Sequence, residues 1–223
     1  GFYGEIEWAV VEVSGMEEGE SECKAFLTSA GGIVSTIVRL AKKIIIEHNQ
    51  FHNPNSRFLH DTWEPHECWE SREVIDIHPP YDRLGKDYVS IAPRKIVGVI
   101  ESCIPEEARA FKEPDDDTMQ IGLHVADLLA NDMKHGRIPS SFLPIQSGVG
   151  ATGNAVLKAL GTSPLIPRFN VYSEVVQDAA VDYMLEGKII DASATAMTVT
   201  NECLQRVYDN MDYFSKHLTI RQS

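Results

Sequence analysis

Apolar and polar positions follow two different periods along this chain, and the switches between them mark its elements. Residues 7–13 (Glu-Trp-Ala-Val-Val-Glu-Val) form a short valine-rich run closed by Ser14-Gly15, the pattern of a buried strand. An acidic turn over 17–22 leads to a second short strand near 25–28. Ser29-Ala30-Gly31-Gly32 then turns the chain into a helix over residues 33–42, with Lys42 and Lys43 in its last turn, where cations suit the carboxyl end of the dipole. Residues 43–47 change to a β-branched run, Ile44-Ile45-Ile46, as in an interior parallel strand. Strand, helix and strand in this order predict a β-α-β unit whose helix covers one sheet face.

Residues 49–94 break the rhythm. They are rich in histidine, tryptophan and proline and poor in periodic apolar positions, so they read as an ordered excursion packed on the domain. Residues 96–100 restore the strand pattern. A helix follows over 117–135, with Asp115, Asp116 and Asp117 at its amino end, a stripe of Met119, Leu123, Ala126, Leu129 and Met133, and Gly136 as its stop. Further elements are a helix over 152–160, a strand over 168–174, a helix over 178–185, a short strand over 188–192 and a single helix over 201–217. The sum is an α/β fold, an open and largely parallel sheet with flanking helices. No internal repeat and no low-complexity linker is visible.

Bulk properties narrow the function classes. The 223 residues give room for one large domain or a domain with an appendage, and 43% apolar content is enough for a sizeable core. A net charge of −13, from 20 Lys+Arg against 33 Asp+Glu, argues against nucleic-acid binding, which draws on a basic footprint. No stretch approaches the roughly 20 apolar residues of a membrane span. No basic, apolar leader opens the chain, and Gly1 followed by Phe-Tyr-Gly reads as the start of a fragment. Cys23, Cys68, Cys103 and Cys203 stand far apart without a CxxC pair, as free thiols of a reducing compartment do. His48, His52, His60, His66 and Cys68 invite a metal site, but structural zinc sites group their ligands more tightly and Asn53-Pro54-Asn55 stops any helix that would align His48 with His52. No metal is expected.

The residues with chemical promise lie later. Ser147-Gly148-Val149-Gly150-Ala151-Thr152-Gly153 is a glycine-rich turn ahead of a helix, where backbone N–H groups and the positive helix end can meet a ligand. It fits neither GxxxxGK[ST] nor a clean GxGxxG, and glycine spacing alone favours a purely structural turn. Glu174 follows Phe169–Ser173 at the carboxyl end of a strand, the edge where open α/β sheets gather ligands, although a lone glutamate there is also a common surface residue. Ser173 lacks a GxSxG elbow, which sets a serine hydrolase aside.

The combination is more specific than its parts. LPIQSGVG (143–150), Asn154-Ala155-Val156, SEVVQD (173–178) and ASATA (192–196) occur here in the order and spacing of the acetyl-CoA hydrolase / CoA-transferase family, and the chain resembles that family over nearly its whole length. VVEVSGM near the start, LAKKIIIEHNQ (40–50), YDRLGKDYV (81–89), PRKIVGVIES (93–102) and LLANDMKHGRIP (128–139) are similar to family segments too. The resemblance departs at Ala151-Thr152-Gly153, where Asn and bulkier apolar residues are frequent, and at Ser173, where threonine is commoner.

The resemblance implies a CoA-transferase-like fold of two related α/β halves, with residues 1–110 as the end of the first half, including the excursion at 49–94. Residues 111–223 would open the second half and carry the turn and the nucleophile. It implies Glu174 as the catalytic glutamate, attacking an acyl-CoA thioester and ending as a glutamyl-CoA thioester. By position, the amides of Val149 and Gly150 are candidates for the oxyanion or acyl site, with Gln146, Gly148 and Asn154 in support. The expected partners are an acyl-CoA and a short-chain carboxylate such as acetate, with coenzyme A as substrate and no permanently bound cofactor. A homodimer in the cytoplasm, binding neither nucleic acid nor membrane, completes the expectation. Two alternatives stay open: acyl-CoA hydrolysis, with water as acceptor, and a non-catalytic CoA-binding fragment of a larger enzyme.

Overall fold

The computed structural model describes residues 6–63, 81–106 and 114–222. They form two compact units, the first of residues 1–106 with 210–223 and the second of residues 107–209.

In the first unit, strand β1 (Ile6–Val13) is followed by β2 (Gly15–Glu18), β3 (Cys23–Phe26), helix α1 (Val34–Leu40) and β4 (Ala41–Asn49). The isoleucine run sits in the middle of a parallel sheet: β4 pairs with β1 from Ile6↔Ala41 to Val13↔His48. On its other side it pairs in parallel with β7 (Ile96–Ser102). Ile44 and Ile46 are wholly buried with Ala9, Val11, Val13 and Val38 of α1, so the expected helix covers the expected face. Burial of each isoleucine contributes roughly 1.5–3 kcal/mol. The β-α-β expectation holds.

Two details differ. Helix α1 stops at Leu40, and Ala41 is already extended at φ −65°, ψ 141°, so Lys42 and Lys43 belong to β4. Pairing of the whole Ala41–Asn49 segment with β1 outweighs the dipole preference; Lys42 instead meets Glu7 at 2.8 Å and Lys43 lies 4.7 Å over the Trp8 ring. The acidic segment after Ser14 is also not all turn. Its first half is β2, antiparallel to β3, with Glu17 opposite Lys24 and ion-paired to it at 3.3 Å. A cation across the strand makes an acidic strand tolerable. β3 in turn pairs antiparallel with β6 (Val89–Ile91), which adds a small antiparallel sheet to the parallel one.

Within the excursion, Asn53 caps a 3-10 turn (Pro54–Leu59) by accepting from the Asn55 amide at 2.9 Å, and a two-residue strand, β5 (His60–Asp61), follows. β5 pairs in parallel with a terminal strand, Leu218–Arg221, to which the sequence pattern assigned no element. The single helix expected over 201–217 is in fact two, Asn201–Asp209 and Met211–His217, broken at Asn210 (φ −115°, ψ 33°). Leu218, Thr219 and Ile220 are buried, and sheet pairing claims them. Residues 64–80, with His66 and Cys68, lie outside the described residues.

In the second unit, helix α2 (Asp116–Lys134) is capped by Asp115, whose carboxylate accepts from the Thr118 amide at 3.0 Å, and Gly136 follows it at φ +69°. Its buried line differs from the expected stripe. Gly122 and Ala126 are buried whereas Leu123 is 44% exposed. Helix α3 (Ala151–Thr162) packs so closely that a Cβ on Gly122 would overlap the Ala155 carbonyl. Small residues set that contact, which an apolar-stripe reading overlooks. Next come β8 (Phe169–Tyr172), β9 (Val175–Val176), α4 (Asp178–Leu185), β10 (Ile189–Ala194), β11 (Ala196–Met197) and α5 (Asn201–Asp209). β8 pairs in parallel with β10, and β9 with β11. The α/β class with parallel sheets and flanking helices is as expected.

Candidate active site

The approach to the glycine turn is held by the sheet. Ile145 runs parallel to β8, donating to Asn170 O at 3.0 Å and accepting from the Tyr172 amide at 2.9 Å. The chain then turns through Ser147–Gly150 directly into α3. Gly150, the N-cap, stands at φ +124°, ψ 177°, a conformation that strains any residue with a side chain. Gly153 is needed for another reason. A Cβ there would overlap the Gly148 carbonyl oxygen, which rests over the first turn of α3. Val149 is 55% exposed, Gln146 and Gly148 are exposed, and Asn154 sits in the first turn of α3, its amide donating to Gly150 O at 3.0 Å.

Glu174 lies two residues beyond β8, between that strand and β9. Its backbone is pinned: the carbonyl accepts from Thr195 N at 2.9 Å, Thr195 Oγ1 at 2.8 Å and Ala196 N at 3.3 Å. Its side chain is exposed. A carboxylate on a fixed backbone, open to an incoming molecule, can act as a nucleophile.

The other polar residues of SEVVQD each make a side-chain hydrogen bond. Ser173 donates from Oγ to Ser147 O at 2.9 Å, and its amide reaches Ser193 O at 2.9 Å. Gln177, 96% buried, donates from Nε2 to Gly148 O at 3.3 Å; only the nitrogen end can face a carbonyl, which fixes the orientation of the amide. Asp178, the first residue of α4, accepts from Thr200 Oγ1 at 2.6 Å and Thr200 N at 3.2 Å, tying α4 to the start of α5. The four sequence motifs therefore converge in one place. Sequence reasoning missed Gln177, Thr195 and Thr200 as parts of it. Two of the three lie inside motifs already singled out, SEVVQD and ASATA, and motif membership was the available signal.

Two cavities adjoin these residues within the second unit. One, of about 170 Å³, is lined by Ile145, Gln146, Ser147, Gly148, Thr152 and Gly153 among others. The second, of about 520 Å³, has Asn154, Lys158, Gln177, Asp178 and Asp182 in its wall. The side-chain oxygens of Asn154 and Gln177 are buried acceptors without a partner among the described residues, which is rare in folded proteins.

The histidines serve separate local roles. His48 meets Glu101 at 2.9 Å, and His52 lies 3.7 Å from Glu12 and 3.6 Å from Glu106. The nearby His52 ring, ahead of smaller effects, holds the Glu12 carboxyl below its usual range. His60 donates to Thr28 O at 2.8 Å, and complete burial pushes it down to about 4. Among the described residues, no group of three or more His, Cys, Asp and Glu side chains forms a metal site. Cys23, Cys103 and Cys203 are free, and burial pushes the Cys203 thiol up to about 12, far from a reactive thiolate. No helix among the described residues is long and apolar enough to cross a membrane.

No family model matches the chain. It is 40% identical over 221 residues to the propanoyl-CoA:succinate CoA transferase of Escherichia coli K12, covering 99% of this chain and 44% of that protein. An acetyl-CoA hydrolase of Yarrowia lipolytica is 33% identical over 192 residues, 86% of this chain and 36% of that protein. In fold, the chain matches the 4-hydroxybutyrate CoA-transferase of Porphyromonas gingivalis with a TM-score of 0.60 at 18% identity, over 98% of this chain and 45% of that one. The chain spans less than half the length of each of these proteins. With its four motifs gathered on a CoA-transferase fold and these relatives on either side of the transferase–hydrolase divide, the chain belongs to the CoA-transferase / acetyl-CoA hydrolase family.

Proposed function

We propose that the chain carries the nucleophile of an enzyme that moves coenzyme A between an acyl-CoA and a small carboxylate. The observation that carries this reading is the placement of Glu174: backbone held by Thr195 and Ala196, side chain open, and neighbours Ser173 and Gln177 bonded to the glycine turn. In the first step the Glu174 carboxylate attacks the thioester carbonyl carbon, and the C–S bond breaks to give a mixed anhydride and CoA thiolate. The thiolate then attacks the glutamyl carbon of the anhydride and expels the acyl carboxylate, leaving a glutamyl-CoA thioester. An incoming carboxylate runs both steps in reverse, so no net proton is taken up or lost. The amides of Val149 and Gly150 are the proposed donors to the developing oxyanion, with Gln146, Gly148 and Asn154 shaping the turn.

Transfer is favoured over hydrolysis because the more similar of the two relatives is a propanoyl-CoA:succinate CoA transferase. The second reading, hydrolysis, is motivated by the acetyl-CoA hydrolase relative and differs only in letting water take the acceptor's place. The proposal includes a short-chain acceptor such as acetate, no permanently bound cofactor, a homodimer, and two α/β halves meeting near residues 110–111. The free thiols fit a cytoplasmic setting. The deciding assay follows acyl exchange and CoA release in the full-length protein, with and without acetate. Exchange that depends on acetate and disappears in Glu174→Gln supports transfer. CoA release at the exchange rate without acetate would make the enzyme a hydrolase.

A further inference from the structure

The SEVVQD segment does more than deliver Glu174. It also holds two consecutive carbonyls of the glycine turn, from both sides of the nucleophile. Ser173 Oγ donates to Ser147 O at 2.9 Å and Gln177 Nε2 donates to Gly148 O at 3.3 Å. A trans peptide is planar, so its N–H points opposite to its C=O. Fixing the Ser147 carbonyl therefore fixes the Gly148 N–H, and fixing the Gly148 carbonyl fixes the Val149 N–H, each directed away from the side chain that holds it.

We infer that Ser173 and Gln177 are positioning residues that clamp the Ser147 and Gly148 carbonyls, so that the Gly148 and Val149 amides face the acyl oxygen during attack by Glu174. The inference rests on the proposed glutamyl mechanism and revises its donor pair: Val149 stays and Gly148 replaces Gly150, because Ser173 and Gln177 hold the carbonyls of Ser147 and Gly148 but not that of Val149. The backbones of both clamping residues are themselves hydrogen-bonded. The Ser173 amide is bonded to Ser193 O at 2.9 Å, and the Gln177 carbonyl accepts from the amides of Ala180 at 2.9 Å and Val181 at 3.3 Å in the first turn of α4. The turn has room for this arrangement only because Gly153 has no Cβ to strike the Gly148 oxygen. One rigid segment thus sets nucleophile and oxyanion donors together, which gives preorganisation without ordering cost at the moment of reaction.

The test uses the full-length protein and single-turnover formation of the glutamyl-CoA adduct, alongside CoA affinity, steady-state kcat and KM, and thermal melting. Gln177→Leu and Gln177→Met remove the donor while keeping bulk; Ser173→Ala removes the hydroxyl and Ser173→Thr keeps it. Donors that act only in the transition state predict about a 10- to 100-fold slower adduct formation in Gln177→Leu, Gln177→Met and Ser173→Ala. KM and CoA affinity stay within about twofold, and Ser173→Thr recovers most of the rate. Unchanged rates in both Gln177 variants overturn the clamp, as does a loss that follows CoA affinity and melting temperature together, which is the mark of a merely structural role. Glu174→Gln, run in parallel, separates the two claims. If it still forms adduct and exchanges acyl groups, the glutamyl mechanism itself has failed; if it is inactive while the Gln177 variants are normal, only the clamp has.

Discussion

The glycine turn with SEVVQD and the histidine-rich stretch around residues 48–60 differ in a way that runs against residue chemistry. The second has the side chains most often used for catalysis and metals, yet each histidine is committed to a separate local partner: His48 to Glu101, His60 to the Thr28 carbonyl, and His52 beside Glu12 and Glu106. The first consists mainly of glycine, serine and valine, and it is there that hydrogen bonds from both sides of Glu174 reach the carbonyls of a turn that lines a cavity. Residue type gives a poor guide to a site whose proposed chemistry rests on backbone amides and one carboxylate. What distinguishes the two regions is whether polar contacts between distant segments meet at one point.

The largest expected effect is at Glu174, the proposed nucleophile. Glu174→Gln keeps shape and removes charge, so acyl exchange should fall by at least about a thousandfold, roughly 4 kcal/mol of transition-state stabilisation, with the melting temperature unchanged. Retention of more than about a tenth of kcat/KM would break the assignment, since that is less than about 1.4 kcal/mol.

Next comes the pH dependence of the other region. His60 is wholly buried and its folded value, about 4, lies below its ordinary 6.5. Above pH 6.5 both folded and unfolded forms are neutral and the full stability is present. As pH falls from 6.5 towards 4 the unfolded chain takes up a proton that the folded one refuses, and stability drops by roughly 3 kcal/mol at the lower end. His60→Gln should flatten that part of the stability curve, measured by urea unfolding at several pH values. Equal slopes for both proteins would mean that His60 does not sense pH.

Gly150→Val puts a β-branched side chain at φ +124°, at a cost of roughly 1–3 kcal/mol. Because the strain lies in the turn itself, kcat should fall along with stability, and normal kinetics would detach the turn from catalysis. The smallest effect is expected at Asp178→Ala, which deprives Thr200 of its acceptor and should lower the urea midpoint by the equivalent of roughly 1–2 kcal/mol at constant m-value.

Much of this was legible in the sequence because it depends on local pattern. The isoleucine run gave the central strand, Asp115 and Gly136 bracketed α2, and the strand-to-helix passage through the glycine turn came out within a residue or two. What stayed hidden depends on partners far along the chain. The strand at Leu218–Arg221 exists because β5 pairs with it, and β2 because β3 lies opposite. The buried line of α2 follows Gly122 and Ala126, since close approach to α3 selects small residues over the larger Leu123. At the site the motifs were visible, but the hydrogen bonds of Ser173 and Gln177 to the turn span 26 and 29 residues, beyond any local pattern.

Intact mass spectrometry of the full-length protein after incubation with an acyl-CoA tests the central claim most directly. The account predicts a covalent species heavier by coenzyme A less water, mapped to Glu174, released by added carboxylate and absent from Glu174→Gln. Turnover without such a species, or an adduct that survives the substitution, would contradict it.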